Sequence, residues 1–464
     1  MTEINVTTDT AEGFIVPSSG ETNSNWMAAF PSYNGLLAAL GTPDEIAAGY
    51  MVVSSVTDWY SRLTATYDTG WYTSSTSRGD GDTVVVSYTN ETPDGNANGN
   101  WPNGPDKNSD GSDISWSSEW WNIHNYLRYG GRCVISGTVD NKTGTVNNAI
   151  NILQNLPTTI NCVFTHNYRY NSDIVAIVNE RTDCVAICPI QLTGPTSVKS
   201  NIQGLSGLET QSKKTFRIAG NKLHLGTSQT YSIGDNTSSS LISSALSADI
   251  AGCMSRVNAS STPFGAPAGI VAGRILDVVR MEYTPTTADI AYLKRFYVNT
   301  ARTFEGTGSC IFGDITGRQD SDSDSSVFKH VNIVLTYLYL NRVISDEIRP
   351  YLFRTNDTST WTSIVNTIAP ILRNTEASGG ISGYTLVCDE TNNPPSVVDS
   401  NELNVNLVVK FVGSINVINL TFTAKSGTQS VSSSVVNTGS ISSGSSSSRP
   451  SSSSSASFDS GGGY

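Results

Sequence analysis

Apolar and polar positions alternate strongly near the end of the chain. Leu403, Val405, Leu407, Val409 and Phe411 fall on one face of an extended segment, and Ile415 and Val417 resume the alternation after a short link. The phase slips at Ile418, after which Leu420 and Phe422 carry the pattern, as a bulge or twist would produce. The spacing predicts a hairpin of two long strands. An isolated hairpin is marginal in water, so this one must pair or pack with something, in the same molecule or in another.

Earlier segments read differently. Residues 1–24 are polar and rich in Thr and Ser, the composition of an extended arm. From "NWMAAFPSYNGLLAALG" to "YMVVSSVTDWYSRLTATY" the pattern predicts helix, with a second apolar segment from Ala47 to Leu63. Residues 73–116 form a Gly-, Asn-, Asp- and Ser-rich loop insertion. Strands and helices then alternate: "GRCVISGTV", "INCVFTHN" and "DCVAICPI" read as strands, "NNAINILQNL" and "NSDIVAIVNER" as helices. That order favours a parallel or mixed sheet with helices on its faces.

From about Ala268 the order changes. A helix begins at "TPTTADIAYLKRFYVNTAR", with Pro285 near its first turn and Asp289 three residues after Thr286 as a capping-box start. The strand "GTGSCIFGD" follows, then a long helix, "VFKHVNIVLTYLYLNRVISDEI", stopped by Pro350. Trp361, Ile364, Val365, Ile368, Ile371 and Leu372 define another amphipathic helix that tolerates Pro370, and "GGISGYTLVCDE" is a strand after a glycine stop. The expected architecture is multi-domain α/β (α+β): an arm (1–24), an N-terminal and middle α/β region with a central mixed sheet (25–267), a C-terminal α+β domain (268–424) and a disordered Ser-rich tail (425–464).

Composition narrows the function classes. Among 464 residues, 28 Lys and Arg stand against 40 Asp and Glu, a net charge of −12, so there is no basic footprint for nucleic acid. Only 15% of residues are charged, which leans toward assembly through large buried contacts. The seven cysteines are scattered singly through apolar stretches and read as small buried hydrophobes. The N-terminus lacks the features of a signal peptide and no stretch approaches a membrane span, so the reading is of a chain folded in a reducing cytoplasm with no membrane partner.

Candidate chemistry is thin. Asp68-Thr69-Gly70 is the aspartic-protease triplet, but that chemistry needs a pair of such loops and there is no second one. Asp314 in "GDITG" lacks the lysine that follows the phosphorylated aspartate of cation pumps. Gly306, Gly308 and Gly313 do not satisfy a dinucleotide fingerprint and precede a strand instead of opening a helix. Arg78-Gly79-Asp80 is a three-residue integrin-type match, and His124, His166, His224 and His330 stand apart from Cys or Glu at metal spacings. Asp106, Asn108, Asp110 and Gly111 fit the first half of a calcium loop, but Ser117 replaces the closing Glu; Asp320, Asp322 and Asp324 lack both glycine and Glu. The reading is a non-enzyme with no cofactor and no metal.

The residues go further. "GGISGYTLVCDETNNPPSVVDSNELNVNLVVKFVGSINVINLTFTAKSG" resembles the C-terminal signature of contractile tail sheath proteins of myoviruses, matching at Gly383, Tyr384, Asp389, Asn392, Asn393, Ser414, Ile415, Asn416, Ile418, Leu420 and Phe422. "PFGAPAGIVAGRI", "VNTARTFEGTGSCIFGDITG", "FRTNDTSTWTSIVNTIAPIL" and "EWWNIHNYLRYGGRCVI" are similar to further blocks of that family, the second read as a helix end followed by a Gly-x-Gly strand. Departures lie in the long loop, the N-terminus and the Ser-rich end.

The resemblance implies a structural subunit of a virion tail, synthesised and assembled in the host bacterial cytoplasm. It would polymerise with itself as stacked six-subunit rings around a tail tube protein, meet baseplate and tail terminator proteins, and contract to drive the tube through the host envelope. The family's terminal arms add strands to neighbouring subunits, which makes Leu403, Val405, Leu407, Val409, Ile415, Val417, Ile418, Leu420 and Phe422 the candidate intersubunit strand positions, with Ile415–Phe422 the segment donated. Both strands completing the chain's own sheet is the competing expectation. A sheath of a related bacterial injection device or bacteriocin is the alternative function.

Overall fold

The computed structural model describes residues 26–34, 36–64, 117–137, 145–192, 214–224, 241–260, 263–305, 308–317 and 327–414, with short strands at 76–77, 83–84 and 202–203. In chain order the first elements are β1 (Met27–Pro31), α1 (Leu36–Leu40), α2 (Pro43–Ala48), β2 (Tyr50–Val53), α3 (Val56–Thr64), β3 (Thr76–Ser77), β4 (Thr83–Val84), α4 (Ser117–Leu127) and β5 (Arg132–Ser136). Next come α5 (Thr145–Asn155), β6 (Cys162–Phe164), α6 (Asn171–Glu180), β7 (Val185–Leu192), β8 (Ile202–Gln203), β9 (Thr215–Ala219), β10 (Asn221–His224), β11 (Ile242–Ala245) and α7 (Leu246–Asn258). The rest are α8 (Gly269–Ala272), β12 (Arg280–Met281), α9 (Thr287–Lys294), β13 (Val298–Phe304), β14 (Gly308–Phe312), α10 (Val331–Ile348), α11 (Thr358–Ala377), β15 (Ile381–Val387), α12 (Pro395–Asp399) and β16 (Asn406–Phe411).

A nine-stranded mixed sheet forms the centre, in the order β14-β13-β9-β7-β6-β1-β5-β2 with β8 beside β7. The inner pairings from β13 through β9, β7, β6 and β1 to β5 are parallel, while β14 and β2 close the two ends antiparallel. Successive residues of each strand serve opposite faces. Phe30, Ile135, Phe164, Ile187 and Phe216 face a cluster that includes residues of α4, α7, α10 and α11, whereas Ala29, Val134, Val163, Ala186 and Cys188 face α5 and α6. β13 and β14, from beyond the expected boundary at 267/268, pair into this same sheet.

Two expected helices are strands. "MAAFP" is β1, buried at every position in the middle of the parallel sheet, and "YMVV" is β2 on its edge. A strand covered on both faces is an unbroken apolar run, which periodicity does not separate from a buried helix. The helix beginning at Thr287 is likewise shorter than its apolar pattern. It ends at Lys294, Tyr297 turns the chain with φ +55°, and "VNTAR" is β13, with Val298 paired to Arg217 of β9. Its start is as expected: the Thr286 hydroxyl accepts from the Asp289 amide and Asp289 reaches back to the Thr286 amide.

The remaining α/β expectations hold at β5, α5, β6, α6 and β7, and α11 runs through Pro370 with Trp361, Ile364, Ile368, Ile371 and Leu372 buried. Gly379 ends α11 at φ +77°, and a Cβ on Gly380 would lie 2.8 Å from the Phe264 ring. All seven cysteines are free and buried. No described helix is long and apolar enough to cross a membrane.

The expected arm (1–24), Asp68-Thr69-Gly70, Arg78-Gly79-Asp80, the calcium-like loop and the Asp320–Asp324 run lie outside the described residues. So does most of the 73–116 insertion. The second contact unit, Ile415–Tyr464, which includes Ile415, Val417, Ile418, Leu420, Phe422 and the Ser-rich tail, also lies outside them.

Candidate intersubunit surface at the C-terminal sheet

The alternating segment that ends the described chain is β16, and its partner among the described residues is β15. They pair antiparallel from Ile381 opposite Phe411 to Val387 opposite Asn406, with an irregularity between Ile381 and Gly383. Tyr384 and Leu386 of β15, together with Leu403, Val405, Leu407, Val409 and Phe411, pack against the main core. The other face of β16 looks outward, with Val408 57% exposed. Neither outer edge of this two-stranded sheet has a strand neighbour among the described residues. A ribbon packed on one face with both edges open accepts further strands readily.

The connection between the two strands is locked by side-chain amides. Asn393, 2% exposed, donates to the carbonyls of Asp389 and Asn404 and accepts from the Asn404 amide at 2.6 Å. Asn392 donates to the carbonyls of Val387 and Asn404 and accepts from the Asp389 amide. Asp389 accepts from the Thr391 hydroxyl and amide, and these hydrogen bonds hold its carboxyl below the usual range. Asp389, Asn392 and Asn393 are therefore the clamp that fixes the register of β15 on β16.

The chain leaves this sheet through a second clamp. The Ser414 hydroxyl donates to Asp314 Oδ2, and His330 Nδ1 lies 3.1 Å from Asp314 Oδ1. The Val331 amide donates to the Asp314 carbonyl, tying the same residue to the start of α10. Burial raises the Asp314 pKa, but the His330 and Ser414 hydrogen bonds outweigh it and leave the carboxyl below its ordinary value. Asn332 adds a contact to the Val412 carbonyl at 3.3 Å. Sequence reading set Asp314 aside as a failed phosphorylation motif and His330 as isolated; 16 residues apart in sequence, they are joined because the β14 exit meets the α10 entry.

The other histidines are structural. His124 stacks on Trp120 at 5.3 Å, and burial pushes its pKa down to about 3. His224 contacts the Trp121 ring and lies 2.8 Å from Ser244 Oγ. His166 is buried, its pKa lowered to about 4, with Nδ1 4.0 Å from Glu119. Burial raises Glu119 to about 7 although Ser32, the Tyr33 amide and Asn34 all donate to it. No group of three or more His, Cys, Asp or Glu among the described residues is placed to hold a metal.

Residues 323–425, which hold this C-terminal sheet, match the phage tail sheath C-terminal domain family. The chain is 36% identical over 181 residues to the tail sheath protein of Vibrio phage KVP40, covering 39% of this chain and 26% of that protein. It is 34% identical over 179 residues to the tail sheath protein of Enterobacteria phage T4, covering 39% and 27% respectively. The matched segment thus spans about a quarter of the length of these relatives.

Solved structures extend the likeness in fold. The helical sheath of the anti-feeding prophage in its contracted state aligns over 92% of this chain and 99% of its own, with TM-score 0.58 and 14% identity. The sheath of the PVC extracellular contractile injection system, also contracted, aligns over 92% and 98%, with TM-score 0.60 and 13% identity.

Proposed function

We propose that this chain is the structural subunit of a contractile tail sheath. It polymerises with itself as stacked six-subunit rings around a tail tube, in a virion tail assembled in the host bacterial cytoplasm, and contracts to drive the tube through the host envelope for genome delivery. The observation that carries this reading is the open-edged β15–β16 sheet inside a segment matching the sheath domain, with the chain clamped at Ser414 where an apolar alternating segment begins. The segment Ile415–Phe422 then serves as a strand donated to a neighbouring subunit. Leu403, Val405, Leu407 and Val409 hold the receiving sheet on its own core.

On this reading the chain is not an enzyme. It meets the tube protein along the bore and the baseplate and terminator proteins at the two ends, and residues 1–24 act as a second linking arm. Contraction needs no nucleotide: the energy is stored when subunits assemble in an extended lattice, and they move as near-rigid bodies while the arms act as hinges. The likeness in fold to injection-system sheaths, nearly end to end, supports a second reading as the sheath of a phage-like injection device. Electron microscopy of the purified chain, alone and with its tube protein, tests the assembly common to both. Hollow helical tubes or stacked six-fold rings are expected; dispersed monomers under both conditions would overturn it.

A further inference from the structure

The parallel strands β1, β5, β6, β7 and β9, taken in chain order, lie in the spatial order β5-β1-β6-β7-β9. This is the doubly wound order 2-1-3-4-5, whose ligand crevice opens at the carboxyl ends of the first and third strands, where the strand order reverses. Those strands here are β1 and β6. The crevice is therefore bounded by the turn 32–34 on one side and by Thr165 and His166 on the other.

The turn 32–34 presents hydrogen-bond donors, and a carboxyl group of the same chain sits on them. The Ser32 hydroxyl donates to Glu119 Oε2 at 2.7 Å, while the Tyr33 amide and the Asn34 side-chain amide donate to Oε1 at 2.8 and 3.1 Å. The Leu36 amide donates to Ser32 Oγ at 3.3 Å, which leaves the hydroxyl hydrogen for the carboxyl. His166 brings Nδ1 to 4.0 Å from Oε1, and that nitrogen has no hydrogen-bond partner among the described residues. Tyr33 stacks on Tyr170 with ring centres 3.6 Å apart, and Phe30 stacks on His166 at 6.0 Å, so aromatic rings wall the site. Glu119 reaches it from the first turn of α4 and is fully buried.

We propose that the turn after β1 is a binding site for a small monocarboxylate, and that Glu119 occupies it as a built-in ligand and closes the crevice from inside. Hydroxyl, backbone amide and side-chain amide converge there as donors, a set that matches the two oxygens of one carboxyl group. A phosphate would bring more charge than they balance: no Lys or Arg among the described residues pairs with Glu119, and burial already raises its pKa to about 7. The contact ties α4 to the exits of β1 and β6 within one subunit. The inference is thus independent of how copies of the chain assemble.

The test uses the full chain at pH 6. Glu119→Ala removes a fragment of the size and shape of acetate and leaves three donors without their acceptor, and a cavity cut into a core takes up a guest of matching size. Its unfolding temperature should fall below that of the wild type and climb back saturably as acetate is added, an effect that sodium chloride at equal ionic strength does not reproduce. Acetamide should need about tenfold higher concentration for the same gain, because its NH2 group faces donors. The wild type and Glu119→Gln, in which the site is still filled, should gain nothing from acetate, and adding Ser32→Ala to Glu119→Ala should weaken the rescue. If Glu119→Ala does not fold alone, refolding in acetate and in chloride reads the same site, and native chain recovered only in acetate supports the proposal. Equal rescue by acetate and acetamide, or no response to acetate by either route, would overturn it.

Discussion

Ser414 donates a hydrogen bond to Asp314 across 100 residues of chain, and His330 holds the other oxygen of the same carboxylate. Asp314 thus joins the end of β14, the entrance to α10 and the last described residue of the C-terminal sheet. The carboxylate fixes the position of Ser414, the last described residue.

Replacing Asp314 by Ala removes that anchor. The variant should lose about 2–3 kcal/mol of stability, as expected when a buried charged hydrogen-bond acceptor is deleted. Amide exchange should accelerate at Val412 and at the start of α10. Because the folded-state pKa of Asp314 lies below its unfolded value, its contribution is present above pH 4 and lost as pH falls through the lowered folded value. Urea unfolding at pH 7 and pH 3 should show the deficit of the variant shrinking at the lower pH.

Asn393→Ala tests the register clamp. The substitution deletes four hydrogen bonds made by a buried side chain and leaves the Asn404 amide without its acceptor. A loss of about 2–4 kcal/mol is expected on that basis. Thermal unfolding combined with exchange protection across β15 and β16 measures it; unchanged protection would mean that strand packing alone sets the register.

Glu119 makes stability depend on pH in the opposite sense from Asp314. Burial lifts its folded pKa to about 7, so its contribution is complete below the unfolded value near 4.3 and is lost as pH rises through 7. The shift corresponds to roughly 3–4 kcal/mol. Glu119→Gln should flatten the fall in stability between pH 5 and pH 8. An equal slope in both proteins would assign it to another group.

Lys222 and Asp249 form a buried ion pair at 2.8 Å, which Tyr129 completes by donating to the same carboxylate oxygen. Asp249→Ala leaves the buried ammonium on the Leu276 carbonyl without its counter-charge and should cost about 3–5 kcal/mol, whereas replacing both partners by Met should cost much less. A double-mutant cycle in chemical denaturant separates the two.

Much of this was legible in the chain. The alternation from Leu403 to Phe411 gave the correct buried face, and Thr286 with Asp289 marked a helix start to the residue. β1 was not legible, because a strand inside a parallel sheet loses the polar half of its pattern, and β2, though an antiparallel edge strand, is a short apolar run that periodicity does not separate from helix. β13 was hidden for a related reason: Val298 continues the apolar spacing of the helix before it, and only the left-handed turn at Tyr297 separates them. The clamp at Asp314 depends on two loops meeting in space, and nothing in their separate sequences announces it. The family resemblance located the Asn392–Asn393 segment, while the structure supplied the reason those amides are needed.

The central claim is that the segment after Ser414 links one subunit to the next. Electron microscopy and sedimentation of the full chain beside a chain ended at Ser414 test it most directly. The account predicts that the shortened chain folds with near-normal thermal stability, since β15 and β16 complete each other without the missing segment, and remains as dispersed subunits while the full chain forms tubes. Tubes of normal order and abundance from the shortened chain would contradict it.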